Sequence, residues 1–221
     1  MRMRKKKHLD ERLEACRAVN LGWIPDLVHK DENCVQRNGA EIFGNDMPLH
    51  AEIGCGKGKF VNTLAGLHPE INFIAVEQSP NVIVSAMEQT VNSGAANLRY
   101  FMGNAEYLQN VLSPDSIERL YLNFSCPYPK ARYTKHRLTS ERFLAIYKEL
   151  LTAEGEIFQK TDNEEFFDYS LGTLKEAGFE LRYVTRDLHN SDVTGNIITE
   201  YEQRFLSQGL PIYYLEAVNK K

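Results

Sequence analysis

From Leu49 onward, short apolar runs alternate with stretches whose apolar positions recur at helical spacing. Leu49–Ile53 reads as a short strand that runs into glycines, and Lys59–Leu67 as a helix with Phe60, Leu64 and Leu67 on one face. Residues 72–77 form a buried strand with Phe-Ile-Ala-Val at its centre. Pro80 opens a helix that runs to about Ser93, since its fixed φ suits the first turn. Leu98–Met102 and residues 117–124 are the third and fourth strands. Residues 140–151 read as a helix with Ser140 or Thr139 as N-cap, and 156–160 as a fifth strand. A helix over 164–177 ends at Gly178, and 179–186 and 213–218 are the last two strands. Strands separated by helices imply βαβ units. The expected architecture is α/β, with about seven strands in a mostly parallel sheet and helices on both faces. Residues 1–46 lack this periodicity. They read as a basic, partly flexible segment with some helix near 9–19 and irregular chain up to Asp46, placed before a domain over 47–221.

Bulk properties narrow the classes. The 221 residues suit one domain with a short appended segment, and 43% hydrophobic with 25% charged residues is ordinary for a folded soluble chain. No apolar run approaches the ~18 residues of a membrane span. The basic start is followed by no apolar stretch, so it does not read as a secretory signal. Cys16, Cys34, Cys55 and Cys126 lie far apart with no C-x-x-C pair, which argues against a zinc or redox motif and for a reducing cytoplasm. A net charge of −4 disfavours indiscriminate nucleic-acid binding. Two local basic clusters still suit phosphate: Arg2, Arg4, Lys5, Lys6 and Lys7, and then Lys130, Arg132, Lys135, His136 and Arg137.

The chemistry-bearing motifs fall at the carboxyl ends of the predicted strands, where ligands sit in such folds. Glu52-Ile-Gly-Cys-Gly-Lys-Gly58 follows a strand and opens a helix. Gly54, Gly56 and Gly58 let the backbone turn tightly and lie against a ligand. The spacing is neither G-x-G-x-x-G nor a P-loop, so pyrophosphate binding is disfavoured. The next strand ends in Glu77, which suits two ribose hydroxyls. Strand, glycine loop, helix, strand and acid together resemble the Rossmann-like class I S-adenosylmethionine-dependent methyltransferases. Glu52 adds an acid that suits a cationic amine and a sulfonium. Asn104, after the third strand, can donate to and accept from an adenine edge.

On the other face, Asn123-Phe-Ser-Cys-Pro-Tyr-Pro-Lys130 places an aromatic residue between two prolines, suited to stacking on a base, with Lys130, Arg132, Lys135 and Arg137 as phosphate contacts. Asp162, Glu200 and Glu202 are carboxylates suited to guanine N1–H and its exocyclic amine. Asp187, His189 and Asp192 are set in a loop that suits hydrogen bonding better than metal ligation, and no metal is expected.

Met-Arg-Met-Arg, Phe43-Gly-Asn-Asp, Glu52-Ile-Gly-Cys-Gly-Lys-Gly, Tyr121-Leu-Asn-Phe-Ser, Leu138-Thr, Lys160-Thr-Asp-Asn, Asp187-Leu-His-Asn and Thr199-Glu-Tyr-Glu occur together. Nearly end to end, the chain resembles the bacterial tRNA (guanine-N7-)-methyltransferase family. The resemblance implies S-adenosylmethionine as methyl donor and the variable-loop guanine of tRNA (position 46) as target. It implies Glu52, Glu77 and Asn104 as donor contacts, and Lys130, Asp162, Thr199, Glu200, Tyr201 and Glu202 as substrate contacts. The chain departs from the family at Cys126, where an aspartate is usual, and at Tyr128, where tryptophan is usual. Ala131 and Tyr133 dilute the basic run, and Asn104 stands where the family often has aspartate. Cys126 therefore occupies the usual catalytic position without a carboxylate.

Guanine N7 carries a lone pair and no proton, so its methylation needs no general base. Alignment and negative charge near the purine suffice, and Asp162, Glu200 or Glu202 suits the second task. Two alternatives stand beside this reading: methylation of another RNA base atom, either an amine, since Cys-Pro-Tyr resembles the loop of amine-directed methyltransferases, or a cytosine carbon with Cys126 as nucleophile, and a catalytically silent donor-binding tRNA module. Tyr128 still stacks on a base. The expected partner is tRNA, with no membrane, and the protein is expected to be a cytoplasmic monomer or homodimer.

Overall fold

The computed structural model describes residues 4–23 and 36–221. Arg2, Cys34 and the middle of the stretch expected to be irregular, residues 24–35, lie outside the described residues. The described chain forms two compact units, divided after Ser113.

In the first unit the strands are β1 (Asn20–Trp23), β2 (Leu49–Ile53), β3 (Asn72–Val76) and β4 (Leu98–Met102), hydrogen-bonded in the order β1-β4-β3-β2. All three pairings are parallel. Every residue of β2 and β3 is buried, as expected of parallel strands covered on both faces. Four helices accompany them: α1 (Leu9–Ala15), α2 (Gly39–Phe43), α3 (Lys59–Leu67) and α4 (Pro80–Ser93). Pro80 occupies the first turn of α4, and Gly94 closes it in the left-handed region at φ 71°.

The second unit holds β5 (Ile117–Asn123), β6 (Leu151–Thr161), β7 (Phe179–Thr185) and β8 (Tyr213–Asn219), ordered β5-β6-β8-β7. β5 and β6 are parallel, whereas β8 runs antiparallel to both its neighbours. The helices are α5 (Glu141–Leu150), α6 (Glu164–Glu176) and α7 (Glu200–Leu206). α5 buries Phe143, Leu144, Ile146, Tyr147 and Leu150, one face at helical spacing.

The expected α/β, mostly parallel architecture is present, with eight strands among the described residues rather than about seven. The additional strand is β1, in a segment expected to be irregular. β6 starts five residues earlier than expected: Leu151 pairs with Ile117, and the register shifts before Glu156, around Glu154 at φ 64° and Gly155. Ser140 occupies the N-cap position of α5, but its hydroxyl donates to Lys135 O at 3.1 Å instead of capping.

The start of the chain is more tied down than its composition suggests. Arg12 pairs with Glu88 of α4 through two bonds of 2.6 and 2.7 Å. Lys6 donates from its backbone to Asn81 and from Nζ to Ser85, each at 2.7 Å. Within the basic segment expected to be partly flexible, Lys6 and Arg12 are thus bonded to α4.

Candidate active site

In the first unit, β2 delivers Glu52, which is buried, and then the glycine loop. Gly54 N–H and Cys55 N–H donate to Val76 O at 2.8 and 3.0 Å, so the loop folds back over the end of β3. Gly54, Gly56 and Gly58 all lie in the left-handed region, at φ 80°, 59° and 79°. Their demands differ. A Cβ on Gly54 or Gly56 would meet nothing within 4 Å, leaving open space for a ligand beside bare backbone. A Cβ on Gly58 would stand 2.5 Å from the Ala86 Cβ, so Gly58 is required by packing against α4. Asn62 holds this corner, donating to Gly58 O and to the Tyr100 hydroxyl at 2.9 Å each, while Thr90 donates to its carbonyl oxygen at 2.7 Å. Sequence reading missed this network, because a lone Asn inside a helix carries no distinctive spacing.

Glu77 follows β3 directly. Its carboxylate accepts from Ser79 N–H at 2.8 Å. Burial raises its pKa, partly offset by the backbone N–H groups of Ser79, Gly56 and Gln78. The acid and the glycine loop are thus in contact. Burial, and then the nearby Glu52 and Glu77, push the Cys55 thiol well up, so it stays neutral. Two acids beside open glycine backbone fit a ligand with an amine and a sulfonium, and disfavour phosphates. Asn104 is more committed than expected: its carbonyl accepts from Glu106 N–H at 3.2 Å and its amide donates to Glu106 Oε1 at 2.9 Å, capping a 3-10 turn over Ala105–Asn110. The second amide hydrogen of Asn104 makes no hydrogen bond among the described residues.

In the second unit, three segments converge at the end of β5 and β6. The loop after β5 begins at Phe124, whose N–H donates to Lys160 O at 2.8 Å. Phe124 and Tyr128 have φ of 49° and 41°, uncommon for residues with side chains. Cys126 between them is exposed. The loop after β6 carries Asp162, half-buried, before Asn163 caps α6 through Phe166 N–H at 2.8 Å. The start of α7 is drawn in by Lys160, which is 5% exposed and donates to Glu202 at 3.0 Å, Asn196 at 2.9 Å and Ile197 O at 2.9 Å. Tyr201 stands 5.2 Å from the Phe124 ring and is 45% exposed.

The acids proposed from sequence separate here. Glu202 is 0% exposed. It pairs with Lys160, accepts from Asn196 at 2.7 Å, and completes a capping box with Thr199, whose hydroxyl oxygen accepts from Glu202 N–H at 3.0 Å. The Glu202 carboxylate, expected from sequence to meet the substrate, is engaged here in building the start of α7, and Thr199 shares that task. The Thr-x-x-Glu spacing is itself the capping-box signature, so this role was legible. Asp162, by contrast, has no hydrogen bond or ion pair among the described residues. Glu200 opens α7, and its side chain lies outside the described residues.

The basic cluster also divides. Lys130, Arg132 and Lys135 are exposed, the last two on a 3-10 turn over Ala131–His136, and Arg132 lies over the Tyr133 ring at 4.7 Å. Arg137 is 3% exposed and turned inward, so it is not the phosphate contact expected. Phe43-Gly-Asn-Asp has a structural role: Gly44 ends α2, and Asn45 accepts from Asn72 of β3 at 2.7 Å. Asp187 caps its own turn through Asn190. Among the described residues no group of three or more His, Cys, Asp or Glu side chains could hold a metal ion, and no helix is long and apolar enough to cross a membrane.

A mostly parallel α/β sheet in which β2 ends in a glycine loop, answered by an acid directly after β3, defines a class I methyltransferase fold. The structure of the 16S rRNA methyltransferase KamB superposes with a TM-score of 0.61 at 15% identity, covering 85% of this chain and 96% of that one. The antibiotic-resistance methyltransferase Kmr gives 0.57 at 18%, covering 90% and 94%. A family described as putative methyltransferase matches residues 46–215. The tRNA (guanine-N(7)-)-methyltransferase of Geobacillus thermodenitrificans (strain NG80-2) is 44% identical over 218 residues, 99% of this chain and 97% of that protein. That of Listeria monocytogenes serotype 4b (strain F2365) is 43% identical over 217 residues, 98% of each. The chain belongs to the bacterial tRNA (guanine-N7-)-methyltransferase family.

Proposed function

We propose that the protein transfers a methyl group from S-adenosylmethionine to N7 of the variable-loop guanine of tRNA, acting in the cytoplasm as a monomer or homodimer. The observation that supports this reading is identity of 43–44% over almost the whole chain to proteins named tRNA (guanine-N(7)-)-methyltransferase. In this reading 47–221 is the methyltransferase domain and 1–46 a basic accessory segment. When bound, S-adenosylmethionine supplies an electrophilic methyl group on a sulfonium leaving group. Glu77 accepts from the ribose hydroxyls, Gly54 and Gly56 give open backbone against the ligand, Glu52 adds negative charge for its cationic end, and Asn104 offers its remaining amide hydrogen to the adenine.

On the substrate side Lys130, Arg132 and Lys135 hold phosphates, while Tyr128 and Tyr201 present rings for the base. Asp162 supplies the carboxylate that the family loop usually carries at the position of Cys126. It accepts from the guanine edge and stabilises the purine as it becomes cationic. Glu202 and Thr199 act by fixing α7, and Glu200 joins the substrate contacts. No residue is needed to remove a proton from N7, so Cys126 has no covalent role.

Digestion of unmodified tRNA to nucleosides after incubation with the protein and S-adenosylmethionine tests the reading. 7-Methylguanosine is expected. A different methylated base would move the activity to another RNA atom, and no methylated base despite donor binding would leave a silent module.

A further inference from the structure

Resting on the reading of residues 124–130 as the substrate loop, we propose that Arg137 is the positioning residue that clamps this loop in its working conformation. In sequence Arg137 is one more cation in a basic run. In the structure its guanidinium is almost fully buried. Nε donates to Pro127 O at 2.7 Å, Nη2 donates to Tyr128 O at 3.4 Å, and the same nitrogen pairs with Glu165 of α6 at 3.0 Å. The guanidinium also lies 4.5 Å from the Tyr169 ring centre and 5.7 Å from that of Phe166. A flat, forked cation held between an aromatic platform and backbone carbonyls is work that arginine does and lysine does not.

The loop needs such a clamp. Phe124 and Tyr128, on either side of Cys126, both hold left-handed backbone, a conformation that costs non-glycine residues free energy and persists only where the surroundings impose it. At its first end the loop is fixed by Phe124 N–H on Lys160 O and by the Phe124 ring, packed on the cluster of Leu188, Ile212 and Tyr214. At the other end Arg137 supplies the restraint, tying Pro127 and Tyr128 to α6. The base-facing ring of Tyr128 is thereby set by a residue that touches no substrate.

The test compares the parent with Arg137→Lys, which keeps the charge and loses the fork. The expected result is a kcat for tRNA methylation lower by about 10- to 100-fold, the scale of a small misplacement of reacting groups. The tRNA KM and donor affinity stay within about twofold of the parent, as expected when ground-state binding is spared. The salt dependence of tRNA binding stays at the parent slope, whereas Lys135→Ala lowers it by about 1. Amide hydrogen exchange over 124–130 rises while that of β5 and β6 does not. A salt slope lowered as in Lys135→Ala, or unchanged kcat with unchanged exchange, overturns the clamp. If Arg137→Lys fails to fold, Tyr169→Leu removes the platform and is expected to lower kcat in the same direction; parent kcat there overturns the proposal. If the parent methylates no tRNA, the functional reading fails by itself, and the exchange comparison still decides the clamp.

Discussion

The Glu77 carboxyl is raised by burial, yet ribose hydroxyls donate best to its ionised form. In the free protein a raised folded value favours the protonated acid, so that contribution to stability is full below the ordinary carboxylate value and lost as pH rises through the raised one. Donor binding has the opposite sign. The affinity for S-adenosylmethionine should be highest above the raised value and fall as pH drops through it. Calorimetric titration across pH checks this: Glu77→Gln should weaken binding by about 1–3 kcal/mol at neutral pH and flatten the profile. At Cys126 the expected outcomes are equally sharp. Cys126→Ser should keep most single-turnover activity, and Cys126→Asp should match or exceed the parent, because it returns an anion to the base side. Loss of turnover in Cys126→Ser with donor binding intact would make the thiol a nucleophile.

Among the elements, α7 begins on a buried ion pair, Lys160 with Glu202. Removing one partner of a buried ion pair leaves a charge without compensation, which costs about 3–5 kcal/mol. Glu202→Ala should therefore lower the free energy of urea unfolding by about that amount, since Lys160 stays buried beside it. Asp162→Ala, at a carboxylate without partners among the described residues, should change stability by about 0.5 kcal/mol or less while lowering the methylation rate. Equal stability losses would place both acids in the same structural role. The order of strands and helices from β2 onward was legible because apolar runs and helical spacing mark it, and the glycine loop and Glu77 were legible as strand-end motifs. β1 was not, because Asn20-Leu-Gly-Trp23 is short and holds a glycine. Nor was the early start of β6, whose first residues include Glu154 and Gly155. The inward turn of Arg137 depends on carbonyls at Pro127 and Tyr128 that no spacing along the chain announces.

At the scale of the whole molecule, the residues proposed for the methyl donor belong to the unit that ends at Ser113, and those proposed for the base belong to the other. The acidic net charge of −4 leaves tRNA affinity to local clusters. Arg4 and Lys7 are exposed on a segment that α4 holds in place. Replacing both with Gln should weaken tRNA binding and lower its salt slope by about 2, roughly one per phosphate contact. An unchanged slope would confine the tRNA contacts to the second cluster. The most direct measurement is fragment mapping by mass spectrometry of unmodified tRNA after one turnover with methyl-labelled S-adenosylmethionine, beside a tRNA whose variable-loop guanine is replaced by adenine. The account predicts a single labelled 7-methylguanosine in the variable loop and no label in the replaced tRNA. Label on another base or atom, or equal labelling of both tRNAs, would contradict it.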